Sequence, residues 1–180
     1  MNRDLELVPG FYSETDDTLD LVLEPLDGVE RGAVIRMSGY LDGFNVGFFS
    51  KRVEKVIDRG FLFLSFDLGN VTYISSRGIG AFTAFLKMLK SRGGNIHLHN
   101  VQPKVLEVFR ILGFLEYFNI GTSREEAARG FRSAGAAVFP LRVACPVCGK
   151  ALRVPGAGRG RCPACKCLLA IDACGRVTRS

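Results

Sequence analysis

Residues 66–80, FDLGNVTYISSRGIG, contain the strand-to-helix junction on which the predicted fold depends. The apolar run 61–66 before it predicts a strand buried on both faces at the centre of a sheet. After it, apolar side chains recur at helical spacing, which predicts a helix from about Ser76 to Ser91. Ser75 and Ser76 therefore lie at the start of a helix, where free N–H groups and the helix dipole favour an added phosphate. The junction predicts a serine switch.

Strands and helices alternate on both sides of this junction. Before it, two strands joined by the turn Asp27-Gly28 predict an antiparallel pair, followed by an amphipathic helix. After it, the pattern predicts strand, helix, strand and a last helix that starts with a capping box at Thr122 and Glu125. The remaining predicted elements are strands Thr18–Leu26, Gly32–Met37, Asn95–His99 and Phe118–Ile120, and helices 44–59, 103–112 and 122–132. This order predicts an α/β sheet.

Composition divides the 180-residue chain into two parts. All six cysteines lie in the last 36 residues, and residues 140–180 hold 8 basic and 1 acidic side chains of a chain whose net charge is +6. We expect a polar lead-in with little order over 1–16, an α/β domain over 17–133, a small-residue linker over 134–139 and a small module over 140–180. No signal peptide or membrane-length apolar run is evident, which predicts a cytoplasmic protein without membrane contact.

The spacing of four cysteines predicts a zinc ribbon in the last module. Two C-x-x-C pairs, Cys145 with Cys148 and Cys162 with Cys165, are separated by residues 149–161. Two such knuckles complete the tetrahedron of one structural Zn²⁺, and a module this small needs the metal to fold. Cys167 and Cys174 are surplus, and Cys167 is an alternative ligand to Cys165.

Other residue patterns carry weaker predictions. The basic module suits an acidic partner, either nucleic acid or protein, but residues 140–180 lack aromatic side chains for base stacking. His97 and His99 are expected to be ordinary strand residues, and Gly78 and Gly80 lack the rest of a nucleotide-binding fingerprint. No catalytic triad or carboxylate pair is present in the sequence, so we expect no enzyme activity.

Taken in order along residues 17–132, the motifs resemble the STAS domain of bacterial anti-sigma factor antagonists and sulfate transporter tails. They are Gly39-Tyr40-Leu41-Asp42 with Asn45, Phe66-Asp67-Leu68 closing the central strand, Tyr73-Ile74-Ser75-Ser76 with Gly78-Ile79-Gly80, and Gly93-Gly94. The resemblance implies a small mixed β-sheet with helices mainly on one side. The last module resembles the short zinc ribbons fused to bacterial regulators.

The resemblance also implies a mechanism and a set of site residues. In that family, a partner serine kinase, often the anti-sigma factor itself, phosphorylates the second residue of the pair before the helix, here Ser76, with Ser75 as the alternative. A serine phosphatase reverses the modification. This chain has Ser75 where the family often has Asp, and Arg77 where Ser, Thr or Ala is usual. The implied partner-binding residues are Asp42, Asn45, Ser75, Ser76, Arg77 and Gly78.

Three alternatives remain open at this point. Ser75 and Ser76 could serve only as a helix cap. The basic ribbon could hold the protein on nucleic acid, or dock on a protein, while the first domain recruits a regulator. The α/β domain could also sense a small ligand, as some STAS domains do.

Overall fold

The structure, a computed structural model, describes residues 7–135, 141–154, 158–171 and 177–179. The chain divides into two compact units, Met1–Phe131 and Arg132–Ser180. The linker predicted at 134–139 lies mostly outside the described residues, but the helix that was predicted to end at Arg132 extends to Gly135.

A five-stranded mixed sheet forms the centre of the first unit, in the order β1-β2-β3-β4-β5. β1 and β2 are antiparallel, as predicted, and the other neighbouring pairs are parallel. The central strand is the one that begins with the predicted apolar run. The strands are β1 Leu19–Pro25, β2 Gly32–Leu41, β3 Phe63–Ile74, β4 Asn95–His99 and β5 Asn119–Gly121.

Three helices cover one face of this sheet. They are α1 Val46–Asp58, α2 Ser76–Ser91 and α3 Pro103–Ile111. Their apolar faces join alternate residues of β2, β3 and β4, such as Ile35, Phe66 and Leu98, in one buried cluster. Burial of these apolar side chains is the main favourable term in folding. The prediction of a mixed sheet with helices mainly on one side is confirmed.

The fourth helix, α4 Arg124–Gly135, packs on the opposite face of the sheet. Its Ala127, Ala128 and Phe131 form a smaller cluster with Leu26 and Val34. Polar residues of β3 and β4 share this face, and both histidines are buried there. Ser65 Oγ lies 2.9 Å from His99 Nδ1, and the other ring nitrogen of His99 lies 3.8 Å from Asp67 Oδ2.

The central strand is longer than predicted. The sequence prediction ended it near Leu68, but β3 continues through Gly69-Asn70 to Ile74 because β2 also extends and pairs with it as far as Leu41↔Ile74. Register shifts in this ladder, after Arg36 and after Gly39, accommodate the extension. The two strands thus end together beside the serine pair.

The prediction of little order over the first 16 residues is wrong for residues 7–16. Val8 and Phe11 are buried in the main cluster, and Tyr12 accepts a hydrogen bond from the Leu23 N–H. The Gly10 carbonyl accepts bonds from the side chains of Arg52 and Lys55. The burial of Val8 and Phe11 thus packs this otherwise polar segment against the main cluster. Residues 1–6 lie outside the described part.

The capping box of α4 is shifted by one residue from its predicted position. Ser123, not Thr122, caps the helix, since its Oγ accepts from the Glu126 N–H. Glu126 in turn accepts from the Thr122 N–H at 2.8 Å. The sequence offers two adjacent hydroxyls followed by two adjacent glutamates, so both registers satisfy the motif.

The second unit consists of short strands around the cysteines. β6 Leu141–Ala144 pairs with β7 Ala151–Val154, and β9 Leu168–Ile171 lies between β8 Gly158–Arg161 and β10 Val177–Arg179. All these pairs are antiparallel. Across the described ranges of both units, no helix combines the length and the apolar character needed to span a bilayer.

Candidate functional site

The two serines have different positions at the start of α2. Ser75 caps the helix: its Oγ accepts from the Gly78 N–H at 3.2 Å, and its own N–H donates to the Leu41 carbonyl at 2.8 Å. Ser76 is the first helical residue and is exposed. One hydroxyl is therefore committed to the helix end, while the other faces solvent.

Charge at this helix end favours an anion. No acidic residue lies in the first turn of α2, and the exposed Arg77 follows Ser76 directly. A phosphate on Ser76 would lie near the positive end of the helix dipole, a contribution of roughly 0.3–1 kcal/mol at exposed sites. Such a modification is compatible with the folded helix.

The loop between β2 and α1 lies beside the serine pair. A Cβ built on Gly43 would lie 3.2 Å from the Arg77 Cδ, which places the Arg77 side chain over this loop. Asp42 Oδ1 accepts from the N–H groups of Phe44 and Asn45 and holds the loop in a tight turn. The two segments of the predicted site thus come together.

Two of the six predicted partner-binding residues are buried. Asn45 is only 3% exposed; its side chain accepts from the Asp42 N–H and donates to Thr18 Oγ1 and the Tyr40 carbonyl. Gly78 is buried, and a Cβ there would lie 2.9 Å from the Leu41 side chain. These two residues shape the loop and the helix start. Ser76 and Arg77 are exposed, and Asp42 and Ser75 are half-buried.

Three aromatic side chains near the serine pair were not predicted as site residues. Phe44 is 99% exposed, and Tyr73 and Tyr40, which pair in the β2–β3 register, are 52% and 37% exposed. Phe44 was assigned to the following helix, which in fact begins at Val46 after Asn45. Its position between the Asp-Gly turn and the helix cap could have indicated that Phe44 lies in an exposed loop before the helix. Exposed aromatic residues are typical of protein interfaces.

The four predicted zinc ligands also come together. The Sγ atoms of Cys145, Cys148, Cys162 and Cys165 all lie within 4.8 Å of one another. The Cys145–Cys165 and Cys148–Cys162 distances are both 3.7 Å. Since Zn–S bonds are about 2.3 Å, a tetrahedral site has sulfur–sulfur edges of about 3.75 Å. The donor set therefore fits one Zn²⁺.

The knuckle backbone favours thiolates at the first cysteine of each pair. Burial opposes ionisation of Cys145, but the N–H groups of Cys148 and Val147 outweigh it and lower the pKa of that thiol to about 6. The pKa of Cys162 is likewise lowered, chiefly by the Cys165 N–H. Metal ligands must be deprotonated, so the fold prepares these two sulfurs for binding.

A fifth thiol lies at the same cluster. Cys167 Sγ is 3.7 Å from Cys145 Sγ and 3.1 Å from Cys165 Sγ. Cys174 lies outside the described residues.

Comparison with known proteins agrees with the fold of the first unit. The STAS domain model matches residues 21–127, and a domain of unknown function (DUF8512) matches residues 143–180. A protein of Bordetella bronchiseptica assigned as the anti-sigma factor antagonist BtrV is 31% identical over 116 residues, covering 64% of this chain and 97% of that one. The anti-sigma-B factor antagonist of Bacillus subtilis is 25% identical, covering 53% and 87% respectively.

Solved structures show the same fold. The anti-sigma factor antagonist SpoIIAA, in its unphosphorylated form, aligns with a TM-score of 0.53 at 25% identity, over 62% of this chain and 96% of its own. An anti-sigma factor antagonist from Mycobacterium paratuberculosis aligns with a TM-score of 0.57 at 18% identity, over 66% and 98%. This chain belongs to the STAS domain family, and its homologues include anti-sigma factor antagonists.

Proposed function

We propose that this protein is a cytoplasmic anti-sigma factor antagonist that acts by partner switching. With Ser76 unphosphorylated, it binds an anti-sigma factor that is also a serine kinase; phosphorylation of Ser76 releases the partner, and a serine phosphatase restores binding. We propose no catalytic role for this chain. The proposal rests on the homologues and on one feature of the serine pair.

The observation that carries the proposal is the division of roles between the two serines. Ser75 Oγ is bonded to the Gly78 N–H, whereas Ser76 is exposed at the first position of α2. A kinase can reach the Ser76 hydroxyl without removing the helix cap. Ser76 is therefore the better acceptor, and modification there changes the surface while preserving the fold.

The surroundings of Ser76 explain how a phosphate would act. Exposed Phe44 and Tyr73 give the site an apolar component suited to a close interface. A phosphate adds a charge of roughly −1.5 to −2. Burying such a charge without a partner group costs several kcal/mol, enough to abolish a micromolar interaction. Release of the partner follows from desolvation and requires no refolding.

Titration calorimetry against the anti-sigma factor kinases of the source organism, with nucleotide withheld, tests this proposal. We expect Ser76→Ala to bind as the wild type does and Ser76→Asp to bind at least about 100-fold more weakly, since a loss of about 2.8 kcal/mol corresponds to that factor. Ser91→Asp is the matched control, because Ser91 is exposed at the opposite end of the same helix. Equal binding of the Ser76→Asp and Ser91→Asp proteins would refute the switch.

For the second unit we propose a zinc ribbon over residues 140–180 with one structural Zn²⁺ held by Cys145, Cys148, Cys162 and Cys165. The sulfur–sulfur spacing and the lowered pKa of the first thiol of each knuckle support it. Elemental analysis of the purified full chain should give one zinc per chain, and a Cys162→Ser protein should give none. A wild-type chain without zinc would overturn the assignment.

Nucleic-acid attachment through the ribbon is the second candidate function. Arg153, Arg159 and Arg161 are exposed and line a groove of about 540 Å³ between β7 and β8. Such a groove could follow a phosphate backbone. Binding of the full chain to duplex DNA should then weaken steeply with salt, and Arg159→Ala with Arg161→Ala should flatten the salt slope by about 1 per lost contact. No binding at low salt would leave protein docking as the role of the ribbon.

A further inference from the structure

We propose that Cys165 and Cys167 share one vertex of the metal site and form an oxidation-sensitive pair, so that joining them in a disulfide releases the metal. The inference rests on the proposed zinc site. It adds to that site a modification chemistry that the four-cysteine motif alone does not contain.

The sulfur positions carry the first step. Cys165 Sγ and Cys167 Sγ are each 3.7 Å from Cys145 Sγ, which matches the edge of a zinc–thiolate tetrahedron. They are only 3.1 Å from each other, well below that edge of about 3.75 Å. Two ligands of one tetrahedral ion do not approach so closely. Cys165 belongs to the group of four sulfurs that lie within 4.8 Å of one another, and Cys167 lies beside it as the alternative ligand.

The second knuckle brings the fifth thiol to this position. The chain bends at Lys166, whose φ is 61°, and the Cys162 N–H donates to the Cys167 carbonyl at 3.0 Å. In the first knuckle the equivalent bond joins the Cys145 N–H to the Lys150 carbonyl at 2.9 Å. The two knuckles therefore have the same backbone, but a thiol occupies this position only in the second.

A small oxidant can reach both members of the pair. Cys145 and Cys162 are buried, whereas Cys165 and Cys167 are half-buried; Cys148 is exposed as well, but the 3.1 Å sulfur–sulfur approach joins Cys165 to Cys167. The chain bends at Lys166 between them, and their sulfur atoms already lie 3.1 Å apart. The pair is thus both accessible and close enough to join.

A peroxide is the oxidant class we propose. One thiolate attacks a peroxide oxygen and becomes a sulfenic acid as the O–O bond breaks, with hydroxide leaving and taking up a proton as water. The neighbouring thiol then attacks the sulfenic sulfur, forms the S–S bond and expels a second water. Overall, two thiols and one hydrogen peroxide give one disulfide and two waters. The vertex then has no thiolate, and Zn²⁺ passes to solvent; a dithiol reductant restores both thiols.

Metal content of single and double variants tests the shared vertex. With the full chain expressed and analysed for zinc, Cys165→Ser and Cys167→Ser should each retain one zinc, because the remaining thiol takes the vertex, and the double variant should lose it. One zinc in the wild type but none in either single variant would overturn the shared vertex while leaving the zinc ribbon intact. A wild type without zinc would overturn both.

Peroxide treatment of the zinc-loaded full chain tests the oxidation. A chromogenic chelator should show zinc release, and on the order of tenfold slower release for Cys167→Ser, which lacks the adjacent resolving thiol. Cys174→Ser is the control, since it removes one thiol and changes none of Cys145, Cys148, Cys162, Cys165 and Cys167; it should match the wild type.

Peptide mapping of the oxidised wild type gives a result that depends on no variant. Trypsin cuts after Lys166, so a Cys165–Cys167 disulfide would link peptides 162–166 and 167–176, and fragmentation would locate the bond. Zinc release without this link, or release from Cys167→Ser at the wild-type rate, would refute the proposal.

Discussion

The two units of this protein are stabilised by different kinds of interaction. The first surrounds its sheet with a continuous apolar cluster in which Phe49, Phe66 and Phe82 pack ring against ring. The buried cluster of the second unit contains four apolar side chains and two cysteines, Cys145 and Cys162. Burial can hold the first unit together, whereas a core as small as that of the second is usually supplemented by a metal ion or another cross-link. The sequence separates the two mechanisms, since all cysteines lie in the second part.

Removal of metal should have the largest effect and should affect only one unit. Structural zinc contributes on the order of 10–16 kcal/mol in zinc-finger peptides, so a strong chelator should unfold residues 140–180. All four tyrosines lie in the first unit and the chain has no tryptophan. Amide NMR signals of the ribbon should therefore collapse while the tyrosine circular dichroism persists. Loss of both signals would show that the first unit depends on the metal too.

A cavity in the aromatic core should have the next largest effect on stability. Phe82 contacts the rings of Phe49, Phe66 and Phe118, so Phe82→Ala should lower the free energy of unfolding by about 3–5 kcal/mol. Phe44→Ala removes the same side chain where it is fully exposed and should change stability by less than about 0.5 kcal/mol. Urea unfolding followed by tyrosine fluorescence measures both. Similar losses from the two substitutions would show that Phe82 does not lie in a close-packed core.

Alanine substitutions of two glycines in α2 should change stability by smaller amounts and in opposite directions. Gly78→Ala places a Cβ 2.9 Å from Leu41 and should destabilise by about 1–3 kcal/mol. Gly80→Ala meets nothing within 4 Å and should stabilise the helix by about 0.5–1 kcal/mol. Urea unfolding again measures both changes in stability. Stabilisation by Gly78→Ala would show that the start of α2 does not pack closely against Leu41 of β2.

Acidification should weaken the first unit through its buried histidines, with the smallest effect. Burial lowers the pKa of both His97 and His99, which keeps them neutral in the fold; Asp67 partly opposes this at His99. Below about pH 6.5 the unfolded chain binds more protons than the folded protein does. The free energy of unfolding should therefore fall as the pH is lowered from 7.5 to 5.5. These are the only histidines, and His97→Gln should reduce the loss. A pH-independent melting temperature would contradict this.

Sequence patterns sufficed where one local signal determined the structure. The apolar run before residue 66 predicted the central strand, and paired C-x-x-C spacing predicted the thiol cluster. Tertiary context decided the rest: pairing with β2 carried β3 through Gly69-Asn70, and burial of Phe11 docked a polar segment. Phe44 is exposed because α1 begins only at Val46. The spacing of apolar residues along the sequence did not fix this helix start.

Phosphosite mapping on protein isolated from its own cells is the direct test of the proposed serine switch. Trypsin should release residues 60–77, a peptide that contains Ser65, Ser75 and Ser76, and fragmentation identifies which serine carries the phosphate. We expect a species heavier by one phosphoryl group, with the phosphate on Ser76, that disappears in a Ser76→Ala strain. Phosphate on Ser75, or an unmodified peptide in every growth state, would contradict it.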